Sequence, residues 1–361
     1  MLQLSILCNN SELDRRIMKR INKCLWLIQV ACSYLLEAII PKREAVAFFD
    51  PSLDTENLGD NIISHYCRKA LSEYMDCESV YSVQTHYLPD STSRHQLLGY
   101  GKKIVFGTNL ISPEWDYYSI WAMPRSLLGY RHTIAMGVGS RNRSDYISNA
   151  SKLVYRSVFS KQGIHSVRDS YTEQLFHKVG IHNVVNTGCP TLWNLTPEHC
   201  SNIPRKKAHR VICTITDYDR DPIQDTKMLS ILKKEYDQVY IWVQGKEDLE
   251  YINMLVADDS VVVVDRSLEK YTALLVPGEI DYVGTRLHAG ICALNHGVRS
   301  LVISIDNRAE EMGNDFHLPV ISRESIEINL REWINGEQET RLNLPWENIQ
   351  KWKSQFAEKE G

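Results

Sequence analysis

The chain has 361 residues, 43% hydrophobic and 24% charged, with a formal net charge of −4. That length exceeds what one core usually serves, so two domains are expected, and the lack of excess basic charge argues against a nucleic-acid partner. The nine cysteines include no C-x-x-C pair and do not cluster with histidine. This argues against a disulfide framework or a zinc site and points to a reducing, cytoplasmic setting.

The first segment, 14–23, carries Arg15, Arg16, Lys19, Arg20 and Lys23. A mostly apolar run, 25–40, follows, broken by Gln29 and Glu37. The run is short and polar for a spanning helix, and its long basic lead with no small-residue cleavage site argues against a signal peptide. Ile17, Ile21, Cys24, Ile28, Cys32, Leu35 and Ile39 recur at helical spacing. Residues 1–44 are therefore expected to form a helical extension packed on the protein. The alternative is a basic amphipathic helix resting on the inner face of a membrane as a peripheral contact.

Beyond it, short β-rich runs alternate with helical ones, the pattern of parallel sheets with crossover helices. Strands are predicted at 45–49, 79–84, 103–106, 133–136, 165–167 and 183–185, then at 210–215, 238–243, 260–264, 280–283 and 300–305. The polar stretch 195–209, with Pro197, Pro204 and the cluster Arg205, Lys206 and Lys207, separates the two sets as a linker. The predicted fold class is α/β: one doubly wound, Rossmann-like domain over 45–200 and a second over 205–335. A C-terminal helix within 336–361 would lay Trp346, Ile349, Trp352 and Phe356 across the domains. Ligands of such folds bind at the carboxyl ends of the strands, here in a cleft between two sheets.

Three strand-to-helix junctions carry the candidate chemistry. In NLGDNII (57–63), Gly59 permits a tight turn after Asn57, and Asp60 either caps the helix or stands at the cleft as a carboxylate able to accept a proton. In HSVRDSYTEQL (165–175), Ser170 and Glu173 fit a capping box, whereas Arg168 is explained only by a surface ion pair or a ligand. In GTRLHAG (284–290), Thr285 is the expected N-cap, which leaves Arg286 and His288 in the first turn. The helix dipole repels positive charge there unless an anion is bound. A lone histidine at such a place is usually a packing or capping residue. Arg168, Arg286 and His288 converging on one crevice read instead as an anion site, because the guanidinium fork suits carboxylate and phosphate.

ISIDNRAEEMG (303–313) adds Asp306 and Arg308 beside the same edge. The turns FGTN (106–109) and MGVGSR (136–141) would let a ligand approach backbone N–H groups, but neither is a dinucleotide fingerprint.

In order and spacing, NLGDN, SVRDSYTEQLFHKVG with NTGCPTLW, and GTRLHAGICALNHGVRSLVISIDNRAEEMG resemble the polysaccharide pyruvyltransferase family over about residues 45–321. The resemblance implies a glycosyltransferase-B-like pair of Rossmann-type domains. It also implies transfer of pyruvate from phosphoenolpyruvate onto two hydroxyls of one sugar, in a cell-surface glycan or its precursor, as a cyclic ketal. By matching motif, Arg168 and Arg286 would hold the donor's anionic groups, Leu287 would touch the donor, and His288 would be the catalytic histidine. Asp60 occupies the family's aspartate, with Asn57 and Gly59 as substrate-binding neighbours. Arg308 stands where the family often has lysine, and FGTN lacks a second glycine the family often shows. No metal and no cofactor other than the donor substrate is implied, and the acceptor would be a saccharide, free or lipid-linked. The residues alone leave two alternatives open: a nucleotide-sugar glycosyltransferase of the same fold, and a non-catalytic glycan-binding partner.

Overall fold

Runs such as 47–49 and 104–106, apolar and fully buried, cannot face water on either side, so the sheets they form must be covered by helices on both faces. The computed structural model describes residues 2–256 and 260–357, with side chains from Arg20 onward. The first sheet-forming set is β1 (Arg43–Asp50), β2 (Tyr81–Gln84), β3 (Tyr100–Phe106), β4 (Thr133–Met136), β5 (His165–Val167) and β6 (Val184–Asn186). The second is β7 (Arg210–Thr214), β8 (Gln238–Trp242), β9 (Val262–Val264), β10 (Ile280–Gly284), β11 (Ser300–Ser304) and β12 (Val320–Ser322).

All neighbours pair in parallel. The second sheet runs β12-β11-β10-β7-β8-β9, the Rossmann order. The first runs β2-β1-β3-β4, which is the flavodoxin-like variant of the doubly wound fold. It is extended by the β5–β6 pair through a Val138–Val167 bridge and the bond from Arg168 N to Val138 O, 3.0 Å. Each order reverses at one switch point, between β1 and β3 and between β7 and β10. Ligand crevices of open α/β sheets lie at such points.

The short strand β12 escapes the sequence reading, and the predicted linker contains a helical turn, Pro197–Ser201, with Cys200 and Ile203 buried beside it. One hydrophobic core runs through both domains. Phe48, Ile62 and Tyr66 of the first share it with Leu287, Ile291 and Leu294 of the second. The tail closes back on the first domain: Trp352 Nε1 donates to Ala135 O at 3.0 Å, and its ring packs 5.5 Å from that of Trp193.

The N-terminal helix, Leu2–Ile39, corrects an expectation. Its inward face is Val30, Ser33 and Glu37, while Ile21, Ile28, Leu35 and Ile39 of the predicted packing stripe are exposed, as are Cys24 and Cys32. Ile17 lies outside the residues whose side chains are described. Polar anchors decide the rotation: Ser33 Oγ donates to Ser126 O at 2.7 Å, and Glu37 accepts from Gly129 N at 2.6 Å.

Candidate active site

The carboxyl ends of both sheets face one another, and the candidate residues stand there. After β1, Asn57 rather than Asp60 caps the helix Leu58–Leu71, its Oδ1 accepting from Gly59 N at 3.0 Å. The same oxygen accepts from Gln244 Nε2 at 2.7 Å, and Asn57 bridges Gly245, which ties the loop after β8 to the first domain. A Cβ at Gly59 would stand 2.9 Å from that Gln244 nitrogen, so the glycine serves this close approach and not a tight turn.

Asp60, relieved of capping, is 6% exposed. Its Oδ2 accepts from Thr55 Oγ1 at 2.7 Å and lies 3.3 Å from His86 Nε2. An ionised carboxylate can only accept, so hydrogen bonding assigns the proton of a neutral His86 to Nε2. The lone pair then sits on Nδ1, which is buried and has no partner among the described residues.

At the second junction the cap is Asp169, whose Oδ1 accepts from Thr172 N at 2.7 Å. Ser170 instead donates across the domains to Asp315 at 2.8 Å, and Glu173 accepts from Asn186 N at 3.0 Å, so the expected capping box is absent. Arg168 is no surface ion pair. It is 2% exposed, donates to Asn109 of the FGTN turn, and places Nε 3.3 Å from Asp169 Oδ2. A Cβ at Gly139 would fall 2.2 Å from that Nε, which accounts for a glycine in MGVGSR.

At the third junction Arg286 itself occupies the cap position of the helix Leu287–Asn295, without a side-chain cap. Thr285, the expected cap, turns its hydroxyl toward Thr214 O at 3.4 Å. The first-turn N–H groups therefore lack a side-chain acceptor from the cap. The Arg286 guanidinium binds Asp248 and, at 2.7 Å, Asp217, and lies 5.0 Å from the Tyr218 ring centre. Asp248 is pushed up by burial, partly offset by Arg286. Burial would raise Asp217 too, but bonding to Asp248 and the charge of Arg286 hold it below the usual range. Leu287 is buried in the shared core.

Arg308 follows β11. It donates Nε to Asp306 at 2.8 Å and also bonds the Tyr218 hydroxyl, so Tyr218 stands between the two arginines. His288 is 7% exposed, with Nε2 3.7 Å from Cys189 Sγ. Burial, then Arg308 and Arg168, push its imidazole down to about 3, with Asp306 opposing. Arg168, from the first domain, and Arg308, from the second, thus both bear on His288. Arg286 lies to one side, in the wall of a cleft of about 440 Å³ that also touches Asp60, His86, Asp217, Tyr218 and Gly245.

Sequence reasoning missed Asn109, Asp217 and Tyr218, which could have been found by surveying every strand's carboxyl end. His86 and Cys189, just beyond β2 and β6, would have surfaced in the same survey, whereas Asp248 carries no local signal, because only the fold brings it to its partners.

Buried histidines have a measurable consequence. His165, like His288, is pushed down by burial, to about 4. Both are neutral when folded, yet protonate near 6.5 when unfolded, so their stabilising effect is complete above pH 6.5 and declines as pH falls toward the folded values. Urea midpoints should drop between pH 7.5 and pH 5, by about 2 kcal/mol of stability per histidine. Equal midpoints would contradict neutral burial.

Two doubly wound α/β domains with facing carboxyl edges carry these arginines and the histidine at their strand ends. The chain belongs to the polysaccharide pyruvyl transferase family, whose model matches residues 57–307. Among solved structures it is similar to UGT89C1 of Arabidopsis thaliana complexed with UDP-L-rhamnose, at 10% identity and TM-score 0.36, over 91% of this chain and 89% of that one. It is also similar to the wall teichoic acid polymerase TagF, at 9% identity and TM-score 0.41, over 95% and 90%. No curated protein matches the chain.

Proposed function

We propose that this transferase moves pyruvate from phosphoenolpyruvate onto two hydroxyls of one sugar in a cell-surface glycan or its precursor, closing a cyclic ketal. The observation that carries the reading is the placement of Arg168 after β5 of one domain and of His288 and Arg308 after β10 and β11 of the other, at strand ends joined by the Cys189–His288 and Ser170–Asp315 contacts. Phosphoenolpyruvate bears a carboxylate and a phosphate on one carbon, and two guanidinium groups beside a proton carrier match that chemistry. The uncapped N–H groups at Leu287 and His288 supply further donors.

His288, as imidazolium, gives its proton to the methylene carbon, leaving an oxocarbenium-like centre. A sugar hydroxyl attacks that centre and loses its proton to a base. The carbon–oxygen bond to phosphate then breaks, and the second hydroxyl closes the ring, its proton leaving with phosphate. His86 and Asp60, paired at 3.3 Å in the cleft wall, form the base on the acceptor side. The steps need no cofactor besides the donor. Arg286 meets the donor's carboxylate only by exchanging its contact with Asp217.

The test is incubation with phosphoenolpyruvate and a panel of free and lipid-linked saccharides, reading phosphate release and a product heavier by one pyruvyl ketal. Nucleotide sugars form the control arm; their turnover without phosphoenolpyruvate turnover would overturn the proposal. His86→Ala should lower ketal formation by roughly 10²-fold with donor affinity unchanged, and Asp60→Asn should lower it less. Equal turnover in a folded His86→Ala protein would remove that role.

A further inference from the structure

We infer that the N-terminal helix is an in-plane anchor for an anionic lipid surface, an assignment that does not depend on the transferase chemistry. The helix docks through a mixed face, in which Val30, Trp26 and Tyr34 join a buried apolar cluster beside Ser33 and Glu37. Besides Ser33 and Glu37, Trp26 Nε1 donates to Arg125 O at 2.9 Å, and Arg131 lies 3.4 Å over the Tyr34 ring. The opposite face is left bare: Leu25 is 53% exposed, Ile28 57%, Leu35 72% and Ile39 77%. From Cys24 to Ile39 the sole charged side chain is Glu37, and it points inward. A solvated helix puts charge on its outer face; an apolar arc there needs a cover.

Two features identify the cover. Exposed Arg20 and Lys23 precede the arc and exposed Arg43 follows it, Lys42 being turned inward to Leu98 O at 2.7 Å, while the sequence before Arg20 adds Arg15, Arg16 and Lys19. Cations flanking an apolar arc match an anionic headgroup layer over acyl chains. Finally, among the described residues no helix is long and apolar enough to cross a membrane, so contact would be parallel to the surface.

A second copy of the chain is the rival cover, because positions 21, 25, 28, 32, 35 and 39 alternate in the four-and-three spacing of a coiled coil. The flanking positions of that seam, Asn22, Gln29 and Leu36 on one side and Cys24, Ala31 and Ala38 on the other, carry none of the charged pairs that select a partner helix.

The full chain should co-sediment with vesicles of phosphatidylglycerol and phosphatidylcholine, and not with phosphatidylcholine alone. The double substitution Leu35→Glu with Ile39→Glu alters exposed positions only, so its melting temperature should match wild type while vesicle binding falls at least ~10-fold. No sedimentation with phosphatidylglycerol, or undiminished binding by the double variant, overturns the inference. So does a dimer in analytical ultracentrifugation that the same variant dissociates.

Discussion

Replacing His288 with alanine is expected to lower turnover by roughly 10²–10⁴-fold, the range for removing a positioned general acid. It should also abolish a proton uptake that accompanies donor binding in the wild type. The second effect follows from the electrostatics around His288. Burial and the charges of Arg308 and Arg168 hold the imidazole near 3, so at pH 7 it is neutral and cannot act as an acid. A carboxylate and a phosphate placed between those arginines offset both cations, and each unit of recovered pKa corresponds to about 1.4 kcal/mol of interaction with the donor. The donor would thus protonate its own catalyst. Calorimetry of phosphoenolpyruvate binding in two buffers of different ionisation enthalpy should show uptake of ~1 proton near pH 7, absent in His288→Ala. In the bound complex kcat should fall as pH rises through the recovered value. Donor binding without proton uptake, or wild-type turnover in a folded His288→Ala protein, would refute the assignment.

The strands were legible because parallel strands buried on both faces read as uninterrupted apolar runs, whichever neighbours they acquire. Helix starts were less so. At each of the three junctions several polar residues compete for the cap, and tertiary partners decide among them. Gln244 shares Asn57 and leaves Asp60 to His86, Asp315 claims Ser170, and Thr214 draws off Thr285. The arginines and the histidine stood out as charges placed against a helix dipole or beyond a strand end. Their own-chain counterions did not, since Asp248 lies on another crossover and nothing local marks it. The N-terminal helix failed for a related reason. Periodicity finds an apolar stripe but not its neighbour, and here polar anchors at Ser33 and Glu37 set the rotation while the stripe was left outside.

Arg286→Ala should cost stability as well as donor affinity. Its guanidinium is 4% exposed and bridges Asp248, whose side chain is wholly buried, and Asp217, which is 18% exposed. Asp248 also accepts from the backbone N–H groups of Gln244, at 3.2 Å, and Gly245, at 2.7 Å, so it fixes the loop that reaches Asn57 in the other domain. Removing the cation leaves a buried carboxylate without its counterion, a loss of about 3–5 kcal/mol. The deficit should depend on pH in a defined direction. Without Arg286, Asp248 is raised further above its unfolded value, and a carboxyl with a raised folded pKa favours folding as pH falls. The gap between wild type and variant is therefore widest at pH 7 to 8 and narrows toward pH 5, as urea unfolding at the two pH values would reveal. Arg286→Lys keeps the charge but loses the planar fork, so it should fall between the two. A variant with wild-type unfolding at both pH values and only a raised KM for phosphoenolpyruvate would mean that the arginine is released from its carboxylates in the working enzyme and serves the donor alone.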